Sequence, residues 1–244
     1  ALVGFREQNS RYLADIHSCV VLQEAFSALI TPLRELITEM DARDRIPQIE
    51  IAAGDKRNAM VVRHMDPLSD HDDARWRAFA EQHGIDLYYQ PKGPDTVHLV
   101  WPEQSRERLS YRLTDFGVEL LFHPMDFTQV NGDINRQMLS LALSLLDPQP
   151  EEVILDLFCG LGNFTIPIAT RAKWVVGVEG SDAMVARGFE NAKHNGIDNV
   201  EFHAADLTKP VSDLPWAQQR FDKILIDPPR SGALEVLRHL SYFN

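Results

Sequence analysis

A chain of 244 residues with 44% hydrophobic content carries enough apolar side chain for two modest cores and is not a disordered segment. No apolar run approaches the roughly 20 residues of a membrane-spanning helix, and two distant cysteines, Cys19 and Cys159, give no disulfide framework, so a cytoplasmic protein with reduced thiols is expected. A net charge of −12 argues against a broad nucleic-acid-binding face, which would show as clustered Lys and Arg.

In chain order, Leu2–Phe5 and Tyr12–Ile16 read as two strands joined by a polar turn. Glu24 to Met40 reads as one amphipathic helix, with Phe26, Leu29, Ile30, Leu33, Leu36, Ile37 and Met40 at steps of three and four. Ile49–Ala53 and Met60–Arg63 pair as a hairpin around residues 54–58. Ser69 caps a helix running to His83, ended by Gly84. The run Asp70-His71-Asp72-Asp73 has metal-ligating side chains, but acidic residues in a first helical turn are what the helix dipole favours, and that is the reading adopted. Basic residues gather at Lys56-Arg57 and at Arg106 and Arg108, and they read as solvated turn and surface charges.

Strands at Ile85–Tyr89, Val97–Trp101, Leu109–Leu113 and Val118–Phe122 complete an α+β unit rich in hairpins, residues 1–125. A helix follows from about Asp133 to Leu146. After Pro148 and Pro150 the pattern becomes strand, helix, strand, helix, which marks a second domain of α/β type, residues 126–244. Its strands are Val153–Leu155, Trp174–Val178, Val200–His203 and Lys223–Ile226, each followed by a chemistry-bearing segment: Asp156-Leu-Phe-Cys-Gly-Leu-Gly-Asn163, Glu179, Asp206 and Asp227-Pro-Pro-Arg230. The carboxyl edge of an open parallel sheet is where such folds bind ligands.

Gly160 and Gly162 permit a sharp turn close to a ligand. A dinucleotide fingerprint would place a third glycine where Thr165 stands, so that version is incomplete. Glu179 lies where a carboxylate can accept two hydrogen bonds from ribose hydroxyls, a feature of both adenosylmethionine and NAD sites, and Asp206 lies where an acid can accept from an adenine amino group. The two prolines after Asp227 stiffen the loop that holds its carboxylate. Methyltransferases acting on nucleobases use such a loop and hydride-transfer domains have no need of it, so S-adenosylmethionine is favoured over NAD.

With these residues in view, the chain resembles the bacterial RNA (uracil-5-)-methyltransferases. The likeness rests on Asp156-Leu-Phe-Cys-Gly-x-Gly-Asn-Phe-Thr165, Val178-Glu-Gly180, Asn191-Ala-x-x-Asn-Gly196, Phe221-Asp-Lys223, Asp227-Pro-Pro-Arg-x-Gly232 and the preceding Asp126-Phe-Thr-Gln-Val-Asn131. It runs from residue 1 to about 235. Val3-Gly-Phe-Arg6 together with Cys19 is most similar to the branch that acts on 23S ribosomal RNA and carries an iron–sulfur cluster.

The resemblance implies a Rossmann-like S-adenosylmethionine-dependent methyltransferase domain, incomplete here, preceded by an α+β domain facing RNA. It implies methylation of uracil C5 in 23S ribosomal RNA by the parent protein. Gln129, Asp156, Phe158, Gly160, Asn163, Glu179, Asp206 and Asp227 would bind S-adenosylmethionine. The family's Cys nucleophile, in a Ser-Cys-Asn-Pro segment, and its proton-abstracting Glu would lie beyond Asn244, so the chain alone is expected to be inactive. Cys159 sits beside the cofactor and reads as a small buried filler. Cys19 resembles one ligand of a [4Fe-4S] cluster whose other ligands would precede residue 1; four thiolates normally hold such a cluster, so it is expected only in the full-length protein. Ribosomal RNA is the partner implied, with no membrane and no obligate protein partner. A methyltransferase for another RNA or base, an NAD-linked oxidoreductase and a non-catalytic RNA-binding module stay open.

Overall fold

The computed structural model describes residues 1–104, 108–230 and 232–239, with the side chain of His239 excepted. Arg106, one of the basic residues singled out above, lies outside them. The chain divides into two compact units, Ala1–Leu109 and Ser110–Asn244. The sequence pattern changes only after residue 125; in the structure the strands from Ser110 to Phe122 group with the second unit.

In the first unit, the opening residues form no strands. Arg6 and Leu13 make an isolated bridge, supported by Ala14 N–H donating to Phe5 O and Glu7 N–H to Tyr12 O. Leu2, Phe5, Tyr12 and Leu13 all remain exposed, so the pair has no apolar face against which to extend. The long helix is also divided, into α1 (Glu24–Ser27) and α2 (Ile30–Thr38). Pro32 explains the break: its ring conflicts with the carbonyl of Ala28 and it has no N–H to donate, which a first helical turn tolerates and an interior does not. The apolar stripe survives the interruption, and Phe26, Leu29, Ile30, Leu33, Ile37 and Met40 are all buried.

Strands β1 (Gln48–Ala53) and β2 (Asn58–Arg63) form the expected hairpin, with Ala53 opposite Asn58. Helix α3 (Asp70–His83) then crosses over so that β3 (Ile85–Gln90) runs parallel to β2, and β4 (His98–Trp101) closes the sheet antiparallel to β3. Ser69 Oγ accepts from Asp72 N–H and Gly84 adopts φ +62°. Asp72 does more than favour the dipole: it is fully buried and accepts the backbone N–H groups of Asp41 and Ala42. Trp76, Phe79, Met60, Val62 and Leu87 make the core of this unit. Arg57 is not a solvated turn charge. Its guanidinium lies 2.6 Å from the buried Asp86 carboxylate and donates to Arg108 O, because a buried carboxylate requires a partner.

The second unit contains the hairpin β5 (Leu109–Leu113) and β6 (Val118–Phe122), then α4 (Gly132–Leu146), capped by the Asn131 side chain. Next come β7 (Val153–Leu157), α5 (Thr165–Ala169), β8 (Trp174–Glu179), α6 (Asp182–His194), β9 (Val200–Ala204), β10 (Lys223–Ile226) and α7 (Leu234–His239). The sheet order is β10-β7-β8-β9, every pairing parallel. Burial on both faces explains the near-continuous apolar runs of β7 and β8. Leu155, Leu157, Val176, Val178, Trp216 and Phe221 form a core cluster under the strand ends.

Candidate active site at the strand ends

The glycine loop turns tightly at the end of β7. Phe158 holds φ +65°, rare for a residue with a side chain, and this lets Phe158 N–H and Cys159 N–H both donate to Val178 O, at 2.9 and 3.1 Å. Gly160 and Gly162 follow at φ +55° and +96°. The loop is thereby tied to β8, and its next amide, Gly160 N–H, donates to Glu179 Oε2 at 3.1 Å. Glu179 Oε1 accepts from Gly180 N–H at 2.8 Å and Ser181 N–H at 3.2 Å. Three backbone donors thus fix this carboxylate. A carboxylate has about four acceptor positions, which leaves capacity on Oε2 for a hydroxyl.

Asp156 lies inside the apolar strand β7 and is fully buried. One oxygen accepts from Thr165 Oγ at 2.6 Å; the other, Oδ1, has no hydrogen-bond partner among the described residues. Burial, then the nearby charges of Asp227 and Glu179, push its carboxyl up to about 7, against the pull of Thr165. Thr165 stands where the dinucleotide fingerprint would have its third glycine. The departure that weakened the NAD reading is therefore the hydroxyl that secures Asp156.

The other candidates fall into place unequally. Asp227 follows β10, its N–H directed at Leu157 O; it is exposed, yet desolvation by the packed strand ends raises its carboxyl. Asp156, Gly160, Glu179 and Asp227 thus form one group. Phe158 is half-buried against the cluster that contains Ala205 and Leu207, the neighbours of Asp206. Asp206 itself is exposed, and its carboxylate is engaged by Thr208 and Lys209, which hold it down to about 2, the Thr208 hydroxyl contributing most. Asn163 is tied to the fold: its Oδ1 accepts from Tyr111 Oη at 2.8 Å and Asn135 Nδ2 at 3.1 Å, and its Nδ2 donates to Asn135 Oδ1. Gln129 is half-buried in the loop before α4.

The sequence gives no role to Thr165, Asn191 and Asn195 and no sign of Asn135 and Arg187. Arg187 is buried, donates to Asp126 at 2.8 Å and pairs with Glu190. Asn191 and Asn195 were legible only as letters of a motif; each binds the backbone of β6 in both directions.

These features fit a methyl-donor nucleoside: a carboxylate held with acceptor capacity to spare, a loop of positive-φ glycines, and an orphaned carboxylate oxygen beneath it. The cysteines do not fit a cluster of four thiolates. Cys19 is half-exposed in the first unit, its N–H donating to Ser27 Oγ. Cys159 is buried in the glycine loop, where burial pushes its thiol well above its usual value.

The family model described as tRNA (Uracil-5-)-methyltransferase matches residues 107–241. The chain belongs to that family. Within it, the chain is 54% identical over 246 residues to the 23S rRNA (uracil(1939)-C(5))-methyltransferase RlmD of Hahella chejuensis, covering 99% of this chain and 55% of the relative. It is 53% identical to the protein of the same name from Alcanivorax borkumensis, covering 97% of this chain and 53% of the relative. The chain therefore spans about half the length of the curated relatives it matches. The fold is that of a Pyrococcus abyssi tRNA (uracil-54, C5)-methyltransferase solved with S-adenosyl-L-homocysteine, at a TM-score of 0.74 and 22% identity, over 99% of this chain and 60% of that one. This family membership sets aside the NAD-linked alternative. Among the described residues, no helix is long and apolar enough to cross a membrane.

Proposed function

We propose that this chain binds S-adenosylmethionine at the carboxyl ends of β7, β8, β9 and β10, and that the protein it represents methylates uracil C5 in 23S ribosomal RNA in the cytoplasm. The observation that carries the reading is that Glu179 holds the glycine loop at Gly160 N–H while Asp156 and Asp227 stand on the adjoining strand ends, in a chain of this family. The two relatives named for 23S rRNA support the choice of RNA.

S-adenosylmethionine supplies an electrophilic methyl group on a sulfonium. The chain's own part is to hold and orient. Glu179, fixed by three amides, accepts from a ribose hydroxyl; Phe158 packs against the adenosine; Asp206 accepts from the adenine amino group. Asn163 offers its remaining N–H, and Gln129 reaches in from the loop before α4. Asp227, on its proline-stiffened loop, faces the reacting end. Uracil C5 is a poor nucleophile, and thiolate addition at C6 would activate it. In this reading that thiol lies outside the chain, since Cys159 is buried in the glycine loop. The first unit would face the RNA, and an iron–sulfur cluster, with Cys19 as one ligand, would require thiolates that this chain does not contain.

The test is calorimetric titration of the chain with S-adenosylmethionine and with NADH. Binding of the first alone is expected. Glu179→Ala should weaken it by about 1–3 kcal/mol, the loss of a hydrogen bond to a charged group. Unchanged affinity would remove Glu179 from the site, and preference for NADH would end the proposal.

A further inference from the structure

Helix α6 grips β6 and the turn that follows it through one row of side chains. Asn195 Oδ1 accepts Glu119 N–H at 2.8 Å and its Nδ2 donates to Glu119 O at 2.8 Å. Asn191 repeats the pattern on Leu121, at 2.7 and 3.1 Å. A further turn back along the helix, Arg187 Nε donates to Asp126 Oδ2 at 2.8 Å. The spacing follows from geometry: four helical residues rise about 6 Å and two strand residues about 6.6 Å, so side chains at i and i+4 can meet alternate strand residues. Two amides thus stand in for a neighbouring strand, and the arginine extends the grip past the end of β6.

Arg187 and Asp126 are each only 9% exposed at their side chains. Asp126 Oδ2 also accepts His123 N–H at 2.7 Å, and Asp126 N–H donates to His123 O. Residues 123–126 are therefore a locked turn. At the other end of the segment, Asn131 caps α4. Gln129 lies between these two anchors, and among the described residues its side chain makes no hydrogen bond. Nearby, Phe127 and Val130 are 78% and 76% exposed, so neither apolar side chain anchors the loop. The same helix starts just after Glu179, whose carboxylate holds the amides of Gly180 and Ser181.

We infer that Arg187 is a positioning residue for methyl-donor binding: through Asp126 it sets the place of Gln129 relative to Glu179, so that one helix fixes both sides of the ligand. This rests on the proposed cofactor site. A role confined to general stability would act independently of Gln129, whereas a positioning role acts through it, and a double-mutant cycle separates the two.

The experiment is calorimetric titration of S-adenosylmethionine into the chain and into Gln129→Ala, Arg187→Lys and the double variant. Each single change should weaken binding about tenfold, and the double change should be little worse than either alone. Should Arg187→Lys fail to fold by circular dichroism, Asp126→Asn, which keeps the acceptor for His123 N–H, carries the same cycle. Effects that multiply to about a hundredfold, or an Arg187→Lys variant that binds as the parent does, would overturn the inference. So would parental affinity in Gln129→Ala. Failure of the parent chain to bind at all would instead sink the cofactor reading.

Discussion

Asp156 shows how one side chain sets a pH dependence. Its carboxyl is raised from 3.8 to about 7, first by burial and then by Asp227 and Glu179. Between those values the unfolded chain has released this proton and the folded chain still holds it, so each step up in pH favours unfolding. The stability tied to the neutral acid is whole below about pH 4 and lost as pH rises through about 7. Asp156→Asn keeps an acceptor for Thr165 Oγ and does not titrate. Its buried amide adds a cost that is the same at every pH, so the slope carries the information. Urea unfolding should show the variant gaining on the parent by on the order of 2–4 kcal/mol from pH 4 to 8. Parallel curves would show that Asp156 ionises freely. Asp206 acts oppositely and elsewhere: its depressed carboxyl contributes above about pH 4 and is lost as pH falls through about 2.

At this scale much of the site was readable. Acids and glycines announce themselves when they follow apolar runs, as Asp156, Gly160 and Glu179 do. Thr165, Asn163 and Asn135 were read less well because neutral hydrogen-bonding side chains are ordinary anywhere; their roles depend on partners that only the fold brings close. Arg57 misled for a related reason, since nothing local shows that Asp86, on another strand, will be buried beside it.

Among the elements, the contact between α6, β8 and β9 leaves no room for added volume. The Phe202 ring lies over both Gly188 and Gly177: a Cβ on Gly188 would stand 2.6 Å from Phe202 Cε1, and one on Gly177 would stand 2.8 Å from its Cδ1. Replacing a helical glycine by alanine ordinarily adds about 1 kcal/mol of stability. Overpacking a rigid buried ring costs about 1–3 kcal/mol, and at 2.6 Å the clash prevails. Gly188→Ala should lower thermal stability, and pairing it with Phe202→Leu should restore part of the loss. A Gly188→Ala variant as stable as the parent would show that the ring can retreat. Elements with strong periodicity, such as α3 with its Ser69 cap and Gly84 stop, were legible in sequence. The break before Pro32 and the failure of residues 2–16 to form strands were not, because periodicity reports which face is apolar and is silent on whether anything covers it.

For the molecule as a whole, each compact unit has its own core, one around Trp76 and Leu87 and the other around Leu157 and Val178. Every candidate cofactor residue, from Gln129 to Asp227, belongs to the second. Residues 110–244 alone should therefore bind S-adenosylmethionine within about threefold of the whole chain. A loss beyond tenfold would mean that the first unit contributes to the pocket. The overall charge of −12 agrees with a chain whose described chemistry concerns a nucleoside sulfonium, and leaves attraction for polyanionic RNA to local patches.

The amide grip on β6 also sets how this protein ages. Asn195 precedes Gly196, a pair in which the glycine amide readily attacks the asparagine side chain to close a succinimide, and asparagine is among the heat-labile residues. While both ends of the Asn195 amide are held by Glu119, that ring closure is obstructed; whenever α6 loosens, it proceeds. Deamidation would put a carboxylate against the Glu119 carbonyl, where a donor had been, and make each later opening easier. Wear at one asparagine would thus feed back on the part of the fold that holds the candidate site.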